Sequence, residues 1–253
     1  MASSIAPAQQ PTRDTTRVEP AEPAGPPRIS TTEAQLLATL DQSGVGNHWV
    51  ITFQHFSTWA FGSNFFFLDA SAPPKLQFFS DGLGLYLEYA PVVSLSRLTR
   101  TRVGGGPVSD VGVTLQINGG HTPAGFEIQR VFLEGVDVAW TVPGFPVFDT
   151  QFLARQERTY RPSAQFTWIY AAPFAIGRTR WLVQGFLDVW RRSQRGAPTS
   201  TVVLGQPQLL VRLGGRNGEL DVGVELEPSH DYPTRAVHAG WQLAYSPMLR
   251  WVF

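Results

Sequence analysis

The chain has 253 residues, 43% apolar and 16% charged, with 20 basic residues balancing 20 acidic ones, 24 Gly, 20 Pro and no Cys. Ordinary soluble domains carry about 25% charged residues; zero net charge argues against nucleic acid as a partner, and the missing Cys excludes disulfide scaffolds, Cys-ligated zinc, iron–sulfur clusters and thiol nucleophiles. No long continuous apolar run occurs either, so helical membrane spans drop out and a soluble β or mixed protein, or a transmembrane barrel, remains.

Residues 1–46 hold six prolines and no aromatic residue, whereas every aromatic lies at or after Trp49. Residues 1–29, rich in Ala, Pro, Ser and Thr, cannot bury enough apolar surface to offset the entropy of ordering and are predicted to be a disordered tail. Met1-Ala2-Ser3-Ser4-Ile5 has neither the basic start nor the apolar stretch of a secretory signal, so an exported form would have lost its signal or would start upstream. Ser30-Thr31-Thr32-Glu33 ahead of Leu36, Leu37 and Leu40 has capping-box spacing and one apolar helical face. That spacing predicts a short helix ending near Gly44, with a linker carrying chance leucines as the alternative. Two regions follow: a Pro-rich tail over 1–46, with that helix in it, and a folded domain over 47–253.

From Asn47 onward the period is two. Leu220, Val222, Val224 and Leu226 alternate with Glu219, Asp221, Gly223, Glu225 and Glu227, and Val111, Val113, Leu115 and Ile117 alternate with Asp110, Gly112, Thr114, Gln116 and Asn118. Such strands have one aliphatic and one polar face. The predicted strands are 47–57, 62–71, 83–91, 108–118, 127–140, 145–158, 163–173, 178–192, 207–214, 219–228, 237–242 and 245–253. Pro247 could instead sit inside one long final strand, in which case a further strand is expected near Leu76 to Phe79. Short Gly- and Pro-bearing connections suit one end of an up-and-down barrel, and the longer ones (97–107, 193–206, 229–236) suit the other.

A soluble barrel turns its aliphatic face inward and an outer-membrane barrel turns it outward to lipid. The final run puts Leu249, Trp251 and Phe253 on one face and Arg250 on the other, which suits a strand that closes a barrel in lipid with no open edge. The expectation is therefore an all-β transmembrane antiparallel up-and-down barrel of twelve strands, with ten as the alternative count and a soluble barrel as the alternative environment.

Four runs occur in order over the aromatic region: Trp59-Ala60-Phe61-Gly62-Ser63-Asn64-Phe65-Phe66-Phe67-Leu68-Asp69, then Glu88-Tyr89-Ala90-Pro91 with Ser94-Leu95-Ser96, then Gln206-Pro207-Gln208-Leu209-Leu210, and finally Leu249-Arg250-Trp251-Val252-Phe253. Together they resemble the Tsx/OmpK family of nucleoside-specific outer-membrane channels. The chain departs from that family in its long Pro-rich start and at Ser63, where an acidic residue is common. The resemblance implies a monomeric twelve-stranded barrel that passes nucleosides by passive diffusion across the outer membrane of a Gram-negative bacterium. Its expected partners are the lipid bilayer, lipopolysaccharide, the outer-membrane assembly machinery and a small solute; no cofactor is called for.

A neutral amphipathic solute needs flat apolar surfaces beside polar groups. Keeping carboxylates out of lipid makes Phe65, Phe67 and Asp69 lumenal, together with Tyr86, Glu88, Asp110, Asp137, Asp149, Arg155, Arg180, Phe186, Asp188, Arg212, Glu225 and Arg250. The opposite parity sends Phe66, Phe148, Phe152, Phe166, Trp168, Trp181 and Trp251 to the lipid face, where aromatics form girdles. The candidate solute-contacting residues are Phe65, Phe67, Asp69, Tyr86, Glu88, Arg155, Arg180, Asp188, Arg212 and Glu225. For Phe65 and Phe67 the competing role is lumen filling, and for the charges it is a salt-bridge network that satisfies the interior. Opposite charges in one lumen suit a polar, uncharged solute.

Enzymatic roles are not expected. The histidines at 48, 55, 121, 230 and 238 are scattered, with no His-Glu-x-x-His or Gly-x-Ser-x-Gly motif. Arg97 to Arg102 and the group Arg191, Arg192 and Arg195 suit either phosphate or lipopolysaccharide contact or solvated loop ends. Two function classes remain: a diffusion channel for nucleosides or related small polar solutes, and a non-conducting anchor, adhesin or receptor-type surface barrel.

Overall fold

The structure, a computed structural model, describes residues 29–41, 47–72, 82–121, 127–193, 198–214, 219–232 and 240–253. The tail over 1–28, the strand considered near Leu76 to Phe79, and Arg195 lie outside them. The two-residue period becomes the strands β1 (Ile29–Asp41), β2 (His48–Trp59), β3 (Gly62–Ala72), β4 (Gly84–Tyr89), β5 (Val92–Ser94), β6 (Val108–His121), β7 (Glu127–Trp140), β8 (Val147–Glu157), β9 (Ser163–Ile176), β10 (Thr179–Arg192), β11 (Ser200–Gly205), β12 (Gln208–Gly214), β13 (Glu219–His230) and β14 (Trp241–Val252), with one short helix, α1 (Leu95–Thr99).

Fourteen pieces make twelve wall strands. β4 and β5 both pair with β3 and β6, and β11 and β12 both pair with β10 and β13. Each break falls at a proline, Pro91 or Pro207, which has no N–H to give the ladder. β14 pairs with β1 as well as with β13, so the all-antiparallel wall closes. Twelve strands spaced ~4.8 Å apart and tilted ~40° give a backbone diameter of about 24 Å.

The count of twelve is reached by a different set of strands from those predicted. Residues 30–40 form no helix; they are most of β1, and the barrel begins at Ile29 rather than at residue 47. A lone short helix would gain little, whereas β1 finds register partners along most of its length on β2 and again on β14. The two predicted final strands are one, β14, which runs through Pro247. The break that Pro247 imposes appears in the register with β1, which passes from Leu37↔Met248 to Leu40↔Tyr245 without intervening partners. The Thr39 and Ser246 hydroxyls bond across that gap at 2.9 Å. The connection expected at 193–206 contains β11, and α1 opens the one expected at 97–107.

The two-residue turns Ala60-Phe61 and Gly177-Arg178 lie at the same end of the barrel as the start of β1 and the end of β14. α1 folds at this turn end, capped by the Ser94 hydroxyl, which accepts from the Arg97 N–H at 3.1 Å. Arg97 donates to the carbonyls of Trp59 (2.6 Å) and Gly62 (3.0 Å), and Arg102 to those of Gly106 and Val108, so these two arginines tie down the α1 connection.

The polarity of the wall is inverted relative to a soluble protein. Among the described residues, 21 polar or charged side chains are buried against 11 apolar ones, while 29 large apolar side chains are exposed. The alternation places Leu115, Ile117, Phe132, Phe152, Val222, Leu249 and Trp251 outward, and Glu33, Gln35, Gln151, Arg155, Asp221 and Arg250 inward. No described helix is long and apolar enough to cross a membrane. Aromatic contacts on the outer face include Phe148 with Trp168, Phe152 with Phe166 and Phe174 stacked on Trp181.

Inward glycines mark sharp bends, two of them beside apolar clusters. A Cβ on Gly135 would lie 2.1 Å from the Phe152 carbonyl oxygen, and one on Gly223 would lie 2.1 Å from that of Leu209. At these corners the neighbouring strand folds over the glycine. Leu37, Leu210 and Met248 pack together beside the Gly223 corner with Val50 and Leu182 against them, and Val131, Leu133 and Leu153 pack beside Gly135. These inward apolar groups line two parts of the wall and leave the rest polar.

Candidate functional site

β3 and β4 bring the aromatic and acidic candidates together. Register rows run Thr52↔Asp69↔Tyr86 and Gln54↔Phe67↔Glu88↔Asn118, and alternation turns every one of these side chains inward. Phe65 and Phe67 rings lie 6.0 Å apart and Phe67 and Tyr86 5.9 Å apart, both tilted, so three rings form one strip along the wall. Asp69 and Glu88 flank it on the same two strands. Phe186 and Asp188 sit on the inward face of β10, and Glu225 and Glu227 on that of β13.

The carboxylates divide into two kinds. Asp69 accepts from the Thr52 hydroxyl (2.5 Å), Glu88 from the Tyr86 hydroxyl (2.5 Å) and Asn118 Nδ2 (2.9 Å), Asp188 from the Thr167 hydroxyl (2.6 Å), and Glu225 from Gln208 Nε2 (2.8 Å). All of these donors are neutral, and none of the four carboxylates forms an ion pair among the described residues. Four more are paired: Glu33 with Arg250 (2.5 Å), Asp221 with Arg250 (2.7 Å), Glu219 with Arg212 (2.5 Å) and Glu157 with Arg192 (2.9 Å).

Two of the three arginine candidates separate from the acidic ones, whereas Arg155 lies near enough to Glu88 and Asp188 to act on both electrostatically. Arg212 joins Glu219 and Asp221 near the turn end, and Arg180 is exposed at that end. Arg155 donates to Glu157 (3.3 Å) and to Gln165 Oε1 (2.6 Å), with its guanidinium 4.4 Å over the Trp190 ring. Arg192 lies over Tyr160 and pairs with the same Glu157. Asp137 is bonded to Gln151 Nε2, and Asp110 to the hydroxyl of Ser94 and the backbone of Ser96. Among the described residues, inward positions carry twelve carboxylates against five guanidinium groups. Overall neutrality thus conceals an acidic interior, which differs from the balanced lumen expected from composition.

No family model and no curated protein matches the chain. The chemistry on offer is that of the lumen itself: flat aromatic faces beside hydrogen-bond acceptors, with Thr52, Gln116, Thr167 and Gln208 supplying neutral donors.

Several inward residues were not singled out from the sequence. Glu33 and Gln35 were hidden by the helical reading of residues 30–40. Trp190 shares its parity with Phe186 and Asp188, and Asn118 with Gln116, so the same alternation was the available signal. Tyr232, just past β13, packs edge-on against Trp190 with ring centroids 6.2 Å apart. Burial, reinforced by Glu227 and Glu88, pushes its phenol above its ordinary range, so it stays a neutral donor.

Proposed function

We propose that this protein is an outer-membrane diffusion channel of a Gram-negative bacterium, passing nucleosides or related small polar solutes. The observation that carries the proposal is a closed barrel with apolar groups outside, polar groups inside, and the Phe65-Phe67-Tyr86 strip facing the lumen beside Asp69 and Glu88. An apolar exterior suits lipid, because water outside would oppose that arrangement. Aromatic faces give a base or sugar ring a sliding surface without binding it tightly, and neighbouring acceptors meet hydroxyls and exocyclic N–H groups. Lipid, lipopolysaccharide and the outer-membrane assembly machinery are the partners this location supplies.

Planar-bilayer recording tests the proposal. Purified protein should give discrete conductance steps that added nucleoside reduces, and Phe65→Ala with Phe67→Ala should abolish the reduction while the barrel stays folded. A folded barrel that conducts nothing would move the protein to the anchor, adhesin or receptor class. Block that survives the double change would remove the aromatic strip from the mechanism.

A further inference from the structure

We propose that the outer wall across β6 to β10 carries a binding site for a multiply acylated lipid with two phosphate groups, the lipid A part of lipopolysaccharide, held by Arg130, Arg158 and Arg191. The proposal rests on the outer-membrane location in the channel reading, though not on conduction, and gives that lipid a defined address on the protein.

Parity and register put the three guanidinium groups outside and at one end. Arg130 and Arg191 occupy outward positions near the start of β7 and the end of β10, and Arg158 follows β8 with outward parity; all three are exposed. The pairing Val131↔Glu157, carried on by one residue, sets Arg130 beside Arg158. The pairings Trp190↔Gln165 and Ala154↔Ala164 set Arg191 in a row with Ala164 and Ala154. This end, the mouth, lies opposite the two-residue turns, and the β3–β4 and β13–β14 connections run long there. Outer-membrane barrels turn their long loops outside, on the leaflet made of lipopolysaccharide.

Other arginines suited by sequence to phosphate are committed elsewhere. Arg192 faces inward and pairs with Glu157, while Arg97 and Arg102 hold the α1 connection at the opposite end. The Arg191 guanidinium has no hydrogen bond or ion pair among the described residues.

Beneath the three arginines the outer wall is grooved in two places. One groove, of about 480 Å³, lies over Ala154 and Ala164, with Arg191 on its mouth side and Phe152, Phe166 and Val189 on the other. The Phe152 and Phe166 rings that border it are 5.5 Å apart. A second groove, of about 470 Å³, runs over Leu115, Ile117, Phe132 and Gln156. Phe132 and Gln156 lie two residues from Arg130 and Arg158 along the chain, away from the mouth. Glu134, which also lines this groove, is beyond Phe132 from Arg130.

Each groove thus offers an acyl chain a slot whose mouth-side end is cationic. Guanidinium grips phosphate through paired N–H donors, and small side chains let an acyl chain pack closely against the wall. The spacing narrows the class. Four residues along β8 separate Ala154 from Arg158 and two strand spacings separate it from Arg191, so the Arg158 and Arg191 backbones stand about 16 Å apart. Phosphates at opposite ends of an acylated disaccharide suit that separation better than two phosphates joined through one glycerol, as in cardiolipin.

Native mass spectrometry and calorimetric titration of the full chain folded in detergent test the site, with lipid A, monophosphoryl lipid A, cardiolipin and phosphatidylglycerol as probes. The expected result is saturable binding of lipid A and at least about tenfold weaker binding of monophosphoryl lipid A. A similar loss is expected for lipid A in Arg130→Gln with Arg158→Gln and Arg191→Gln. Ala154→Phe with Ala164→Phe, which fills the first groove from outside, should also weaken lipid A binding while the heat-modifiable folded band persists. Lipid A bound no better than phosphatidylglycerol, a preference for cardiolipin, or an affinity unchanged in either folded variant overturns the site while the outer-membrane reading stands. A protein that stays folded and monodisperse in buffer without detergent overturns the outer-membrane reading, and the site with it.

Discussion

Replacing Arg250 by Met should be among the most damaging single changes in the barrel. Arg250 lies on β14 between β1 and β13 and is 6% exposed. Its Nε donates to Glu33 Oε2 at 2.7 Å and its Nη1 to Asp221 Oδ2 at 2.7 Å, and those carboxylates are 2% and 1% exposed. Methionine fills most of the volume but leaves two buried carboxylates without this shared counter-charge, and Asp221 keeps only the longer contact to Arg212 at 3.5 Å. Breaking a buried ion pair from one side costs about 3–5 kcal/mol. Neutralising the partners as well, in Glu33→Gln with Asp221→Asn and Arg250→Met, should recover more than half of that loss, because the change at position 250 then strands no charge at this seam. Urea unfolding in detergent micelles or lipid vesicles, followed by tryptophan fluorescence, would read both variants as shifts in midpoint at constant slope. A loss below about 1 kcal/mol for Arg250→Met would show that water reaches Glu33 and Asp221 freely, and a triple variant no better than the single one would show that packing, not charge, is at stake.

Further outcomes follow from other positions. Gly223→Ala drives a Cβ to 2.1 Å from the Leu209 carbonyl oxygen, so the heat-modifiable folded band should weaken and stability should fall by about 2–3 kcal/mol. Leu249, outward on β14 and 47% exposed, should cost about 2–4 kcal/mol when changed to Arg if the outer wall faces hydrocarbon; a neutral effect in lipid vesicles would place water there. Glu134 is an outward, exposed carboxylate on β7, and Glu134→Leu should raise stability in vesicles by about 1 kcal/mol. A decrease would mean that Glu134 holds a polar partner on that face.

Period-two alternation was enough to place β6 and β13, because Val111 to Ile117 and Leu220 to Leu226 all face outward and every inward neighbour is polar or Gly. β1 was misread because Leu37 breaks that rule. It faces inward onto Leu210 and Met248, so Leu36, Leu37 and Leu40 gave a helical spacing where a strand with one apolar lumenal position was present. The seam explains why strand wins: β14 needs a second partner, and only tertiary pairing supplies it. Pro247 misled in the opposite direction, since a proline in an interior strand is rare and its effect is confined to a short gap in the ladder with β1.

At the site, parity alone placed Phe65, Phe67, Asp69, Tyr86 and Glu88 on the inner face. It could not separate Asp188 from Asp221, which both face inward and carry the same charge. Asp221 lies within reach of two arginines, whereas Asp188 has the Thr167 hydroxyl. That difference depends on which strands become neighbours and on how far the rows climb around the wall, neither of which is written in local sequence.

The seam between β1 and β14 joins Glu33 to Arg250, 217 residues apart in the chain. Contacts of such separation repay the entropy of loop closure only at the last step of assembly. Until then the first and last strands each expose a row of unpaired N–H and C=O groups, and Glu33 and Asp221 lack their shared cation. In the proposed membrane setting a half-made wall is therefore an unstable intermediate, which makes closure all-or-none and leaves an unfinished chain dependent on an external edge to hold it.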